Sequence, residues 1–328
     1  MPAYPGISSD AFRHPLDREA EDALRSVPVF DLVARKFVEF LYERPQSIYL
    51  MGNSIQVGPK QYGTIYQIFQ DCMRDLDIDP EPALFVAQNP MVNAYALGQD
   101  RPAIVLNTAL VDLLSNDEIR AVLAHELGHI KCGHTVLIQM AIWVMGAAYF
   151  LGELTLGMGR LINSGLIYAF YEWRRKAELS SDRAALLVTD DLRLVMNSMM
   201  KLAGGSQRLM AECSLEEFIQ QSENYQALDE DGLNQVYKFL LYNGGQGSML
   251  THPFAVERLY HLQQWEQSET YRQIRSGNYA RSSQSQKSYP SGKTGASADQ
   301  AKAEELRRQL QELQAEVARL RQQQGEDS

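Results

Sequence analysis

The chain is 328 residues long, 45 % hydrophobic, and carries a formal net charge of −10. That length allows one or two packed domains, and the acidic balance argues against nucleic-acid binding as the main task. Cys72, Cys132 and Cys213 are odd in number and show neither pairing nor metal-ligand spacing, so no disulfide framework is expected.

Met1 to Gly6 hold no basic region followed by an apolar run, so no secretory signal is read there. With reduced cysteines, this points to the cytoplasm. Residues 1–60 read as an N-terminal helical extension packed on the rest. One amphipathic helix is expected around Glu19 to Ser26 and a second from Phe30 to Leu41, with turns at Gly52-Asn53 and Gly58-Pro59. His14 reads as a surface residue. Ala83 to Gln88 and Ala103 to Leu106 have strand character. Between them, Asn93 to Leu97 alternates as an edge strand does. An edge strand can pair with an extended peptide, which makes Asn93, Ala94 and Tyr95 candidate substrate-binding residues.

Ser115-Asn116-Asp117-Glu118 fits a capping box. Ile119, Val122, Leu123, Leu127 and Ile130 follow at helical spacing. Inside this helix lies His125-Glu126-Leu127-Gly128-His129, an H-E-x-x-H sequence. Residues four apart share a helix face, so both imidazoles can reach one cation, and neutral imidazole suits Zn²⁺. Glu126 follows the first ligand directly and points beside the metal, where a carboxylate can act as general base on water. Gly128 costs about 1 kcal/mol in a helix interior, a cost that close packing beside the metal or substrate would explain. His134 falls off the ligand face by helical angle and reads as structural. Cys132 reads as a buried thiol rather than a fourth ligand.

Val136 to Gly152 is almost wholly apolar, Glu153 and Arg160 interrupt, and Leu161 to Tyr171 is apolar again. The first run is shorter than the ~20 residues a spanning helix needs. Two readings of 136–171 stand side by side: a buried helical hairpin, or a hairpin inserted in or lying on a membrane surface.

A catalytic zinc usually has three protein ligands, so a third must come from elsewhere. Glu178 is the best candidate, on a predicted helix running from Trp173 past Asp182 to Leu187. Asp182 shares its face and can accept a hydrogen bond from the far nitrogen of a ligand histidine. His252 precedes Pro253 at a turn-to-helix start, and Arg258 follows; His261 reads as a surface residue. Residues 276–298 are rich in Ser, Gln, Gly and Lys and read as a disordered linker. In 299–324, Ala303, Leu306, Leu310, Leu313, Val317 and Leu320 form an a/d seam of a coiled-coil helix, suited to self-association or a partner helix.

These segments together resemble the M48 metallopeptidase family, the HtpX-like gluzincins. H-E-x-x-H on one helix and Glu178-x-x-x-Asp182 on a later one are similar to its pattern. So are Val92 to Gly98, Pro102 to Thr108, and Thr251-His252-Pro253 with Arg258. Arg174 stands where the family's S-R-x-x-E has Ser. The resemblance covers roughly residues 60–265 and sets expectations. The fold is α+β, mainly α: a gluzincin-like zinc peptidase domain over 61–275 with a small antiparallel or mixed sheet, followed by the linker and coiled coil. One zinc per chain is held by His125, His129 and Glu178. Glu126 is the base, and His252 donates to the developing oxyanion. Asp182 and Arg258 support the ligands. The expected activity is that of a zinc endopeptidase acting on peptides or proteins, cytoplasmic and, should 136–171 insert, membrane-associated. The alternative is a silent or gated peptidase fold that acts as a binding or chaperone module through its coiled coil.

Overall fold

A computed structural model describes residues 4–26, 43–98, 101–135, 137, 158–228, 231–234 and 255–282. A 3₁₀ turn, Ser9–Ala11, precedes helix α1, Pro15–Arg25. Pro15 at the first helical position and His14 as N-cap start that helix: the imidazole Nδ1 accepts the Leu16 N–H at 3.1 Å. Helix α2, Glu43–Asn53, leads into strand β1, Ser54–Gln56, and α3, Gly63–Leu76, follows. Strands β2, Ala83–Ala87, β3, Ala94–Leu97, and β4, Ala103–Asn107, complete a four-stranded sheet of order β1-β2-β4-β3. β2 and β4 are parallel and the outer pairings antiparallel, so the sheet is mixed. All five residues of β4 are buried, as suits a central strand. β1 lies before residue 60, inside the segment read as an extension, and supplies one edge; β3 supplies the other.

From β4 the chain passes through α4, Thr108–Leu113, into α5, Asn116–Cys132. The capping box is formed: Ser115 Oγ accepts the Glu118 N–H at 3.3 Å, and Glu118 Oε2 accepts the Ser115 N–H at 2.8 Å. Every residue from Glu118 to Ile130 is buried, so α5 runs through the core rather than over it. It stops at Gly133, whose φ of +74° is the left-handed cap that glycine adopts without strain.

Helix α6, Met158–Thr189, packs along α5, and α1 packs on α6. Gly128 allows the first contact. A Cβ there would lie 2.8 Å from Ala184 Cβ and 3.0 Å from Ser181 Cα. The glycine anticipated as a close-packing site is therefore where the two helices meet. Helices α7, Leu192–Gly204, α8, Leu215–Ala227, α9, Ala255–Glu266, and α10, Glu269–Arg275, close the opposite side. Met196, Met200, Leu215, Phe218 and Leu259 form the core between α7, α8 and α9.

The mainly helical α+β architecture with a small mixed sheet is as expected. Residues 276–282 are not: Ser8 N–H donates to Ala280 O at 2.9 Å, and Ser282 N–H donates to Gly6 O at 2.8 Å. The segment expected to be a disordered linker from 276 is thus tied to the N-terminal turn through Ser282. Two backbone bonds satisfy what its polar composition could not bury. The predicted helix from Phe30 to Leu41, most of the apolar run after Val136, His252, the rest of the linker and the coiled coil at 303–320 lie outside the described residues. Among the described residues, no helix is long and apolar enough to cross a membrane.

Candidate active site

α5 presents His125 and His129 one turn apart, and α6 brings Glu178 against them. His125 Nε2 and His129 Nε2 are 3.2 Å apart. Glu178 Oε2 is 3.3 Å from the first and Glu178 Oε1 is 3.5 Å from the second. All three side chains are buried.

The surroundings set the tautomers of both imidazoles. Asp182, one turn beyond Glu178, places Oδ1 3.0 Å from His125 Nδ1. Arg258 of α9 donates from Nε to Asp182 Oδ2 at 2.8 Å and through Nη2 to Oδ1 at 2.5 Å. Its Nη1 also lies 3.3 Å from Glu178 Oε2. Burial pushes the Asp182 carboxyl up, but the Arg258 charge and hydrogen bonds outweigh it and hold it below its ordinary value. An ionised carboxylate only accepts, so neutral His125 carries its proton on Nδ1 and offers the Nε2 lone pair.

His129 has a different support. Its Nδ1 is 3.1 Å from His134 Nδ1, and His134 Nε2 is 3.1 Å from Asp17 Oδ2. His134 and Asp17 are both fully buried. Burial raises the Asp17 carboxyl, but the contacts with His134 and Arg13 prevail and keep it well below the usual carboxylate range. His134 therefore donates from Nε2 and accepts at Nδ1 from the His129 Nδ1–H. His129 Nε2 is left with its lone pair too.

The donor set fits a zinc ion. Ligand atoms about 2.0–2.1 Å from a tetrahedral zinc lie about 3.3–3.4 Å from one another, which the three separations above approximate. Two imidazole lone pairs and a carboxylate converging in a buried space repel each other unless a cation lies between them. Burial drives the His129 imidazole down to about 3, so it does not itself provide that positive charge. Burial also lowers the His125 imidazole, but the bonds and charges of Asp182 and Glu178 outweigh this and hold it at about 9, so without a metal His125 carries the proton that a bound zinc would displace.

Glu126 is 1 % exposed and, with His125, Asp182 and Arg258, borders a cavity of about 490 Å³. Val92, Leu110, Val122, Val195, Met199 and Leu202 make most of its wall apolar. Asn93 and Ala94 also line it, and Tyr95 follows on β3, which among the described residues pairs with β4 alone.

Sequence reasoning treated two histidines differently from the structure. His14 was expected at the surface; it is buried, and burial lowers its imidazole to about 3. His261, also expected at the surface, is half-buried with its ring edge-on to His14 at 5.3 Å. His134, read as structural, is buried and outside the group of three that could hold a metal; what the sequence did not show is its contact with His129, because the helix has ended. Gly133 turns the chain and returns His134 to His129, and only a glycine at the helix end could have signalled that turn. Asp17 and its partner Arg13 carried no signal at all. The cysteines are free, with Cys72 buried, Cys132 half-buried and Cys213 exposed.

A metal-ready pair of helix-borne imidazoles with a glutamate from the next core helix is the arrangement of a metallopeptidase. The profile of Peptidase family M48 matches residues 59–266, and the chain belongs to that family. It is 32 % identical over 273 residues to the plastoglobule-localized metallopeptidase 48 of Arabidopsis thaliana, a match spanning 83 % of this chain and 76 % of that protein. It is 28 % identical over 155 residues to protease HtpX homolog 2 of Methanosarcina mazei, covering 40 % of this chain and 52 % of the relative. It is 33 % identical over 97 residues to the protease HtpX homolog of Sulfurovum sp., 29 % of this chain and 35 % of the relative. The chain thus spans about half or less of these two HtpX relatives.

Proposed function

We propose that the protein is a zinc-dependent endopeptidase, with one zinc held by His125, His129 and Glu178. The observation that carries this reading is the convergence of three buried donor groups, two of them imidazoles whose tautomers are fixed from behind by Asp182 and His134. When bound, zinc supplies the Lewis acidity that brings the pKa of water to about 7 and polarises a carbonyl oxygen. Glu126 takes the proton from the attacking water and passes it to the leaving amine nitrogen. Asp182, clamped by Arg258, keeps the His125 ring in plane. An extended substrate pairs its backbone with β3 at Asn93, Ala94 and Tyr95, with an apolar side chain beside the scissile bond in the cavity next to Glu126. His252 remains the proposed oxyanion donor on the family resemblance.

The name of the plant relative places that protein at plastoglobules. For this chain we keep the cytoplasmic reading, with the segment 136–171 as the proposed contact with a membrane surface and the helix 303–320 as the proposed site of self-association or a partner helix.

The test is zinc content and proteolysis of an unstructured protein such as casein, for wild type beside Glu126→Gln. Both are expected to hold about one zinc, with turnover in the variant lower by about 10²–10⁴-fold, the usual worth of a general base. Zinc without cleavage in wild type would move the silent or gated binding module ahead. Absence of zinc from both would remove the ligand assignment.

A further inference from the structure

We propose that Asp17 and His134 are positioning residues for His129: the carboxylate on α1 fixes His134, and His134 fixes the ring and tautomer of the metal ligand. The proposal rests on the zinc reading above and extends it to a part of the chain outside the matched family segment. Asp17 precedes residue 59, where that match begins.

The geometry of Asp17 is that of a hub. Its Oδ2 accepts from Arg13 Nε at 2.8 Å, from Ser180 Oγ at 2.6 Å and from His134 Nε2 at 3.1 Å. Its Oδ1 accepts from Arg13 Nη2 at 3.2 Å. Ser180 lies two residues beyond Glu178 and accepts the His14 N–H at 2.9 Å, so α1 is locked to the helix that carries the third ligand. The edge of the His134 ring meets Trp173 of the same helix, centroids 5.7 Å apart. One fully buried carboxylate thus holds the end of α5 and the middle of α6 in register.

A carboxylate at this position does more than pack. Reduced to its proton acceptors, the chain runs Asp17, His134, His129, metal. Each link has one donor and one acceptor, and only one arrangement leaves the His129 Nε2 lone pair facing Glu178 and His125. Support of this kind typically changes metal affinity by about 10–100-fold when removed, because the ligand loses orientation and basicity. His125 receives its carboxylate directly from α6, whereas His129 receives one through an intervening imidazole from α1.

The experiment uses the full chain and four variants: Asp17→Asn, His134→Phe, His134→Asn and, as a control, Leu24→Ala. Leu24 is fully buried on α1, in an apolar cluster that includes Leu50, Leu97 and Val105. Zinc affinity is measured by chelator competition, the ligand field by the visible spectrum of the cobalt form, and stability by thermal unfolding of metal-free protein. Asp17→Asn and His134→Phe should each weaken zinc about 10–100-fold and shift the cobalt bands. His134→Asn places an amide oxygen where Nδ1 lies and should restore most of that affinity. Leu24→Ala should lower the unfolding temperature while zinc affinity and cobalt spectrum stay as in wild type. The His134 variants leave Arg13, Asp17 and Ser180 in place and decide the matter should Asp17→Asn fail to fold. Wild-type affinity and spectrum in His134→Phe would overturn the proposal, and so would equal zinc weakening by Leu24→Ala. Wild-type protein that takes up neither zinc nor cobalt would overturn the metal reading itself, a distinct failure visible before any variant is made.

Discussion

The two ligand histidines lie one turn apart on one helix, yet the molecule supports them from opposite sides by different means. On the His125 side, Asp182 is four residues from Glu178 on the same helix, and Arg258 contacts both carboxylates. On the His129 side, the carboxylate comes from Asp17, 117 positions before the imidazole it holds. The first support is built into the helix that supplies the third ligand. The second depends on α1 docking against α6. A site can therefore be half local and half assembled: its local half forms once two helices pack, and its other half needs the N-terminal segment in place.

The largest expected effect is on the local side. Asp182→Ala leaves Arg258 buried beside one carboxylate instead of two and removes the partner of His125 Nδ1. We expect a stability loss of about 3–5 kcal/mol, the usual cost of breaking a buried ion pair, measured by denaturant unfolding, with zinc weakened by about 10–100-fold. Wild-type zinc affinity in Asp182→Ala would remove the direct support from the comparison.

Gly128→Ala attacks what both sides share, the close approach of α5 and α6. The new methyl would lie 2.8 Å from Ala184 Cβ, a contact no rotamer can relieve. Overpacking of this sort costs about 1–3 kcal/mol, more than the gain of about 1 kcal/mol in helix propensity returns. The unfolding temperature and zinc affinity should fall together, because Glu178 is moved away from both histidines.

Val195→Phe sharpens the comparison from the substrate side, since it fills the apolar cavity from α7, the helix that carries neither ligand nor supporting residue. Peptides with a large apolar residue beside the scissile bond should lose about tenfold in kcat/KM relative to those with alanine, with zinc content unchanged. Equal losses on both peptides would place that side chain elsewhere.

The smallest effect is expected at the far end of α5. Glu118 caps the helix and accepts from Asn197 Nδ2 at 2.7 Å and Lys201 Nζ at 2.8 Å. Burial raises its carboxyl, but the bonds from Lys201 and the Ser115 backbone outweigh that and hold it below the ordinary 4.5. A lowered carboxyl adds stability that is complete above its unfolded value and is lost as pH falls through its folded one. Glu118→Gln should therefore cost about 1 kcal/mol at pH 7. The difference from wild type should close in unfolding curves taken progressively below about pH 4.5, with zinc affinity at neutral pH unmoved.

Much of the site was legible because its signals are short in sequence. Two histidines four apart, with a glutamate between, define a helix face without any knowledge of the fold. The same holds for Glu178 and Asp182, and for the Ser115 cap that starts α5. His134 was legible as structural, but its contact with His129 was not, because the backbone leaves the helical period at Gly133. His14 was misjudged because an isolated polar residue gives no hint of the elements that will cover it. Asp17 looked like any acid on an amphipathic helix; its burial depends on Arg13, Ser180 and His134 arriving together.

The sequence by itself determined the chemistry available at the centre: which side chains could hold a metal, which carboxylate is proposed to act beside it, and that helices present them. Those properties follow from helical geometry and the donor atoms of the residues, both local. Only the tertiary structure decided that residues 54–56 would add a strand to the sheet, that α1 would bring a carboxylate to His134 beyond α5, and that residues 276–282 would return to the N-terminal turn. Such contacts join segments far apart in the chain, and their partners are selected by packing and by the pairing of buried polar groups, which no spacing along a sequence records.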